Sequence, residues 1–324
     1  MDIKILFQGF NDKRVLIVGD SMIDTYMWGE INRMSPEAPV PIVEVKKHED
    51  RLGGAANVAL NLKSLGATPI LCSVIGTGNR GSIFKKLMHD SKLSTEGIIS
   101  TNTRKTTIKT RVISENKHQL RIDEEDSFPI IEEKDFLKLT INLMVNIDVI
   151  ILQDYNKGVL TDKVIKGVIY AANKKEIPTI VDPKKLNFKS YKNCTIFKPN
   201  LDEIKEGMKI DFNANILKEI RKVTENLRIQ LCANAVLLTL SEKGICINTE
   251  KELKHTQAFK RNIIDVSGAG DTVISVASLC LASKFNYNDL SILSNLAGGI
   301  VCEEVGVVTI NKEKLLSQAL KYIN

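Results

Sequence analysis

An α/β fold, with a mostly parallel central sheet flanked by helices and a small β-sheet lid over one rim, is what the sequence predicts. Three observations predict it. Strand-like apolar runs alternate with helix-length amphipathic segments through most of the 324 residues, the pattern of a parallel sheet covered by helices. Nearly every expected strand ends in a polar residue or glycine, at Gly19-Asp20, Gly76, Asp154, Asp182, Asn200 and Ser241. In an open α/β sheet such ends converge on the ligand crevice. Finally, two β-rich segments interrupt the rhythm, each inserted between α/β units.

In chain order, strands are expected over 14–18, 68–73, 149–153, 179–181, 195–198 and 235–239, and helices over 55–65, 80–90, 162–173, 213–226 and 272–284. The interruptions fall at 41–47 and 105–123, where side chains alternate, as in Thr107, Lys109 and Arg111 against Ile108, Thr110 and Val112. Together they read as a lid over about 34–50 and 104–124. A lid suits chemistry that must exclude water; a pair of immobile surface hairpins is the plainer alternative. No repeat, low-complexity tract or long linker divides the chain, so 1–324 reads as one domain.

With 43% hydrophobic and 26% charged residues, the composition is that of an ordinary globular protein. No apolar run is long enough to span a bilayer, and charges interrupt Met1 to Arg14, so a cytoplasmic location is expected. The six cysteines, at 72, 194, 232, 246, 280 and 302, form no C-x-x-C pair and read as buried reduced thiols. The four histidines lack ligand spacing, which argues against zinc. A net charge of +6 spread along the chain suits anionic small molecules, or simply a lysine-rich surface; it forms no stripe for nucleic acid and no membrane patch.

The most specific local signal is Asp265-Val266-Ser267-Gly268-Ala269-Gly270-Asp271-Thr272. Two glycines before an apolar helical run create a helix start whose N–H groups can face an anion. Asp271 beside such a site is unfavourable unless it accepts a proton from an attacking hydroxyl, as in phosphoryl transfer. Capping of the helix is the alternative role.

Three further motifs are weaker. Gly53-Gly54-Ala55-Ala56-Asn57 opens a helix with a glycine pair that lets a polar ligand approach, with Asn57 projecting from the first turn. Gly76-Thr77-Gly78-Asn79-Arg80-Gly81 matches G-x-G-x-x-G, but no acidic strand end follows at the distance a dinucleotide fold needs, so it reads as a tight strand-to-helix turn. Asn200-Leu201-Asp202-Glu203 either holds water-coordinated Mg2+ through Asn200 and Glu203 or forms a capping box.

Gly53-Gly54-x-x-Asn57 and Asp265-x-x-Gly268-Ala269-Gly270-Asp271 together resemble the two signatures of the ribokinase-like (PfkB) carbohydrate kinases. The resemblance covers essentially the whole chain. It includes Asp182-Pro183-Lys184 and Thr239-Leu240-Ser241-Glu242-Lys243-Gly244, and implies a ribokinase-like sheet with a β lid, ATP as phosphoryl donor, and Mg2+. Arg33 to Pro41, Lys109-Thr110-Arg111-Val112, Leu120-Arg121-x-Asp123 and Asp154-Tyr155-x-Lys157-Gly158 look like the kinase part of the ADP-heptose synthases.

That resemblance implies phosphorylation of the C1 hydroxyl of D-glycero-β-D-manno-heptose 7-phosphate, for lipopolysaccharide precursors. It assigns the base to Asp271 and the anion hole to Gly268, Ala269 and Gly270. Asn200, Leu201, Asp202, Glu203, Thr239, Ser241 and Gly244 fall on the nucleotide side, and Asp20, Arg33, Gly53, Gly54, Asn57 and Asp154 on the sugar side. Lys109, Arg111, Arg121 and Lys157 are candidate partners for the sugar's phosphate. Asp265 and the turn around Gly306 resemble a monovalent-cation (K+) loop. The H-x-G-H motif of the nucleotidyltransferase domain that many such relatives carry is not found. Another PfkB kinase with a different sugar, or a non-catalytic nucleotide or sugar sensor, are the rival readings. Exposed strand edges on a β lid also favour a homodimer paired through it.

Overall fold

β1 (Arg14–Gly19) is buried on both faces. Val15 and Ile17 enter one apolar cluster, Leu16 and Val18 the other, as a central strand between two helical layers requires. Each such side chain contributes about 1.5–3 kcal/mol through burial. The computed structural model describes residues 3–115 and 117–323.

Two long strands follow, β2 (Ser21–Met34) and β3 (Pro41–Gly54), then the helix Ala55–Ser64 and β4 (Thr68–Gly76). The helix Asn79–Asp90 leads to β5 (Ile98–Thr101), β6 (Thr107–Ser114) and β7 (Lys117–Glu124). β8 (Val149–Gln153), β9 (Thr179–Asp182), β10 (Ile196–Phe197) and β11 (Ala235–Thr239) are separated by connections that carry helices or a turn. β12 (Ile245–Thr249) and β13 (Leu253–Thr256) then precede the helices Ala269–Ala282, Tyr287–Val301 and Lys312–Ala319.

Nine strands form one sheet in the order β13-β12-β11-β10-β9-β8-β1-β4-β5. Pairing is parallel from β5 to β11, and only β12 and β13 run antiparallel at one edge. The other four strands form a separate sheet, β3-β2-β6-β7. The helix Ala269–Ala282 is buried all round from Asp271 to Cys280, and it packs on the helices Ala55–Ser64 and Tyr287–Val301. Small residues on it, Ser275, Ala277 and Ser278, permit this close approach.

The expected ribokinase-like layers are therefore present, with differences in detail. The lid contains β2, absent from the expectation for 34–50 and 104–124, because its first residues are buried on both faces and do not alternate. β3 runs on to the glycine pair, well beyond residue 47. Asn116, between β6 and β7, lies outside the described residues. The helix expected over 213–226 is Leu217–Leu231. Its start is displaced because the Asn213 side chain accepts the Asn215 N–H at 2.9 Å and Glu219 reaches back to the Asn213 N–H at 2.7 Å, a local turn competing with the helix. Of the strand expected at 195–198 only Ile196–Phe197 is regular strand, though the Thr195 and Lys198 N–H groups also donate to Thr179 O at 3.0 Å and Val181 O at 2.8 Å. All six cysteines are free thiols, and Cys232 departs from expectation by being exposed. Among the described residues no helix is long and apolar enough to cross a membrane.

Candidate active site

The main-sheet rim and the lid meet at the start of the helix Ala269–Ala282. Gly268 caps that helix in the left-handed conformation, φ 79°, and supplies no side-chain cap. Only glycine takes this angle without strain. The Ala269 N–H closes a turn onto Val266 O at 3.2 Å, while the N–H groups of Gly270 and Asp271 have no partner among the described residues. The Gly268 N–H is likewise without a partner among the described residues, so of the three expected anion-hole residues only Ala269 has its N–H engaged.

Asp271 is buried, 4% exposed. Its Oδ2 accepts from Asn57 Nδ2 at 2.8 Å, and its Oδ1 from Tyr155 OH at 2.6 Å and Gln153 Nε2 at 3.2 Å. Burial pushes its carboxyl up to about 7; Asp182 and Asp24 push the same way, and the bonds from Asn57 and Tyr155 oppose them. A carboxylate poised near neutrality suits a general base. It is not the cap of its helix: it lies three residues past Gly268, with its side chain held by three neighbours.

Around Gly270 an added Cβ would come within 3.8 Å of Asp182 Oδ2 and 3.9 Å of Lys198 Nζ. Lys198 and Asp182 form a buried ion pair at 3.0 Å, and Gln153 Nε2 reaches Asp182 Oδ2 at 3.1 Å. Asn200 and Glu203 complete a capping box: the Glu203 N–H meets Asn200 Oδ1 at 2.8 Å, and the Asn200 N–H meets Glu203 Oε2 at 2.8 Å. The other Glu203 oxygen pairs with Lys184. Leu201 and the exposed Asp202 stand in the first turn of the helix Leu201–Met208. Thr239 bridges to Asn200 at the end of β11, and the turn from Ser241 to Gly244 closes through the Leu240 N–H on Gly244 O at 2.8 Å. These residues lie along one stretch of rim.

No group of three or more His, Cys, Asp or Glu among the described residues could hold a metal ion. Asp182 and Glu203 are close enough to act on each other: burial first, then Asp182, raises the Glu203 carboxyl above its ordinary range. Lys184 and Lys198 balance the pair. Such a donor set suits a hydrated Mg2+ shared with nucleotide phosphates, not one stripped of its water.

On the lid side, Gly53 lies against Asp24, where an added Cβ would meet Asp24 Oδ2 at 2.1 Å. Gly54 caps the helix Ala55–Ser64 at φ 60°. Arg111 Nη1 holds Asp24 Oδ1 at 2.5 Å. Asp20 is placed differently from the sugar contact expected of it: its oxygens accept the backbone N–H groups of Tyr155, Lys157 and Val159 at 2.8, 2.9 and 3.0 Å. It anchors the loop that carries Tyr155. Asp154 also turns away, to Tyr191 OH at 2.6 Å; burial, and then Asp20, push its carboxyl up to about 6.

The four candidate cations for a sugar phosphate all have carboxylate partners. Lys109 Nζ is 3.0 Å from Asp123 and 3.3 Å from Glu125, Arg121 is 2.9 Å from Asp123, Lys157 is 2.6 Å from Glu125, and Arg111 holds Asp24. Arg33 is exposed at the outer end of β2, nine residues beyond Asp24 and so roughly 30 Å along an extended strand. Asp265 accepts the Ser267 and Gly306 N–H groups, both at 2.9 Å; burial opposes ionisation, but these bonds hold its carboxyl below the usual range. It ties the 306 turn to the 265 loop. The lid reaches the same turn, because Tyr26 OH accepts the Val307 N–H at 3.1 Å and Arg51 Nη1 donates to Val307 O at 3.0 Å.

Sequence reasoning assigned no role to Asp24, Gln153 or Lys198, and it quoted Tyr155 and Lys184 only within motifs. Position could have found most of them: Gln153 ends β8, Lys198 follows β10, and Lys184 follows β9 on the recognised rim.

A parallel sheet with a β lid, a buried carboxylate at an uncapped helix start and cations balancing acids beside it define a sugar-kinase fold and site. The model of the pfkB family carbohydrate kinases matches residues 12–314, and the chain belongs to that family; it is a phosphotransferase acting on a hydroxyl acceptor. Among curated proteins it is similar to the bifunctional protein HldE of Helicobacter acinonychis (strain Sheeba), 37% identical over 94% of this chain and 65% of that one. The bifunctional protein HldE of Desulfatibacillum aliphaticivorans is 39% identical over 95% of this chain and 63% of its own length. The chain thus spans a little under two thirds of these relatives. Among solved structures, Arabidopsis thaliana ribokinase complexed with ribose and ATP matches with a TM-score of 0.77 at 16% identity, covering 96% of this chain and 99% of that one. Escherichia coli phosphofructokinase-2 in complex with fructose-6-phosphate also has a TM-score of 0.77, at 15% identity, covering 97% and 100%. At these identities the likeness is one of fold.

Proposed function

We propose that the chain transfers the γ-phosphoryl group of ATP to the C1 hydroxyl of D-glycero-β-D-manno-heptose 7-phosphate, giving the 1,7-bisphosphate for ADP-heptose and lipopolysaccharide core precursors. The observation that carries the transfer is Asp271, buried and near neutral in acidity, at a helix start where its own N–H and that of Gly270 are unpaired. The choice of sugar rests on motifs resembling the kinase part of the ADP-heptose synthases and on the similarity to the HldE proteins.

In this reading the sugar's C1 hydroxyl, more acidic than an ordinary alcohol because of the ring oxygen, attacks in line and Asp271 Oδ takes its proton. Tyr155, Gln153 and Asn57 fix the carboxylate. The N–H groups of Gly270 and Asp271 stabilise charge on the transferring group. Mg2+ held through water near Asp182 and Glu203 would neutralise the nucleotide phosphates, and a monovalent cation near Asp265 and Gly306 would support the loop. The chain works in the cytoplasm, as a homodimer joined through the lid.

The test is mass detection of a heptose bisphosphate from the 7-phosphate and ATP, run beside fructose 6-phosphate, tagatose 6-phosphate and ribose. The bisphosphate is expected at the highest kcat/KM. Preferred turnover of another sugar would replace the heptose, and no ADP release with any sugar would refute the kinase reading.

A further inference from the structure

The three donors that hold Asp271, namely Asn57, Gln153 and Tyr155, converge on a single residue, Asp20. It follows β1 and is 1% exposed. Its backbone N–H donates to Gln153 O at 3.1 Å, and its carbonyl accepts the Ala55 N–H at 2.9 Å. Ala55 opens the helix that carries Asn57 in its first turn. Both bonds are main-chain, so any residue could make them. The Tyr155 arm is different, because the Asp20 side chain holds it: Oδ2 accepts the Tyr155 and Lys157 N–H groups, and Oδ1 that of Val159.

The loop is shaped around this acceptor. Asn156 and Gly158 take left-handed φ values of 55° and 87°, and such alternation turns the N–H groups of Tyr155, Lys157 and Val159 into a concave anion-binding nest. A carboxylate offers two acceptor oxygens and no donor, so it fills all three; an asparagine would set its NH2 against at least one. Arg104 Nη2 donates to the Lys157 carbonyl of the same loop. The Tyr155 ring then lies over Gly54, where an added Cβ would stand 3.5 Å from its Cε2, and its OH reaches Asp271 Oδ1 at 2.6 Å.

We propose that Asp20 is a positioning residue for phosphoryl transfer: its carboxylate sets the Tyr155 loop, and through the Tyr155 hydroxyl it fixes the orientation in which Asp271 meets the acceptor hydroxyl. The proposal rests on the kinase reading above for Asp271 as the base. A sugar contact at Asp20 would act on acceptor binding, and a plain loop staple would act on stability alone.

A double-mutant cycle in turnover separates these roles. Asp20→Asn and Tyr155→Phe should each lower kcat about tenfold, the scale of one hydrogen bond to a charged group. KM for heptose 7-phosphate and for ATP should stay within about twofold of wild type, as expected for a group that does not touch substrate. Added to Tyr155→Phe, Asp20→Asn should cost less than about twofold more, because the arm it works through is already cut. Additive losses in kcat, or a raised KM for heptose 7-phosphate with kcat intact, would overturn the proposal. So would failure of both Asp20→Asn and Asp20→Ser to fold, which would place the residue in stability alone. NMR of the Asp271 carboxyl carbon, assigned by its loss in Asp271→Asn, reads the same link without substrate. That resonance should move in both single variants and no further in the double; an unmoved resonance in Asp20→Asn would overturn the role. The expected shifts in an enzyme that phosphorylates no sugar would refute the proposed function and leave Asp20 positioning Asp271.

Discussion

At the scale of single residues, the acidity of Asp271 governs two observables. As a base it must be ionised, so kcat/KM should fall on the acid side of a pH near 7, where burial places its carboxyl. Asp271→Asn should keep the fold and cut kcat by about 10²–10⁴; steady-state turnover close to wild type would remove the role. The same burial acts on stability with the opposite sign. A raised folded-state value favours the protonated protein, a contribution fully present below the ordinary 3.8 and lost as pH rises through about 7. Thermal melts should therefore show Asp271→Asn gaining on wild type between pH 5 and pH 8, by on the order of a few kcal/mol at most.

Residue types were legible in the sequence, but their partners were not. Asp20 and Asp154 stand at strand ends where sugar contacts are expected, yet one takes three backbone N–H groups and the other Tyr191. Nothing in a linear sequence says that the loop after β8 folds back over β1. Asp24 was missed for a related reason, because its pairing with Arg111 needs β2 and β6 side by side.

At the scale of elements, alternation and strand ends located β1, β4, β8, β9 and β11, the helix after Gly268 and the two ends of the lid. They failed at β2, whose inner half is buried on both sides and whose outer half is exposed. That strand carries Tyr26, the lid's contact with the 306 turn. Two guanidinium groups face its ring, Arg51 at 4.8 Å and Arg111 at 5.4 Å. Tyr26→Phe removes only the acceptor for the Val307 N–H. It should lower kcat severalfold and leave KM for ATP unchanged, while the Val307 N–H, left without an acceptor, lowers the Tm; an unchanged kcat would mean that the lid and the turn act independently.

At the scale of the whole molecule, the four-stranded lid leaves β3 and β7 as edges, with Val45, Leu120 and Ile122 about half exposed. Such edges invite pairing with a second copy. Sedimentation should give a dimer mass, and Leu120→Lys with Ile122→Lys should shift it to the monomer; a wild-type monomer at assay concentration would remove the lid interface.

The proposed base sits on a helix that is surrounded from Asp271 to Cys280. Segments with so many buried contacts open only when the whole domain does. Gradual loss of stability should therefore lower the number of working molecules and leave the turnover of each one intact, so the catalytic centre lasts as long as the fold.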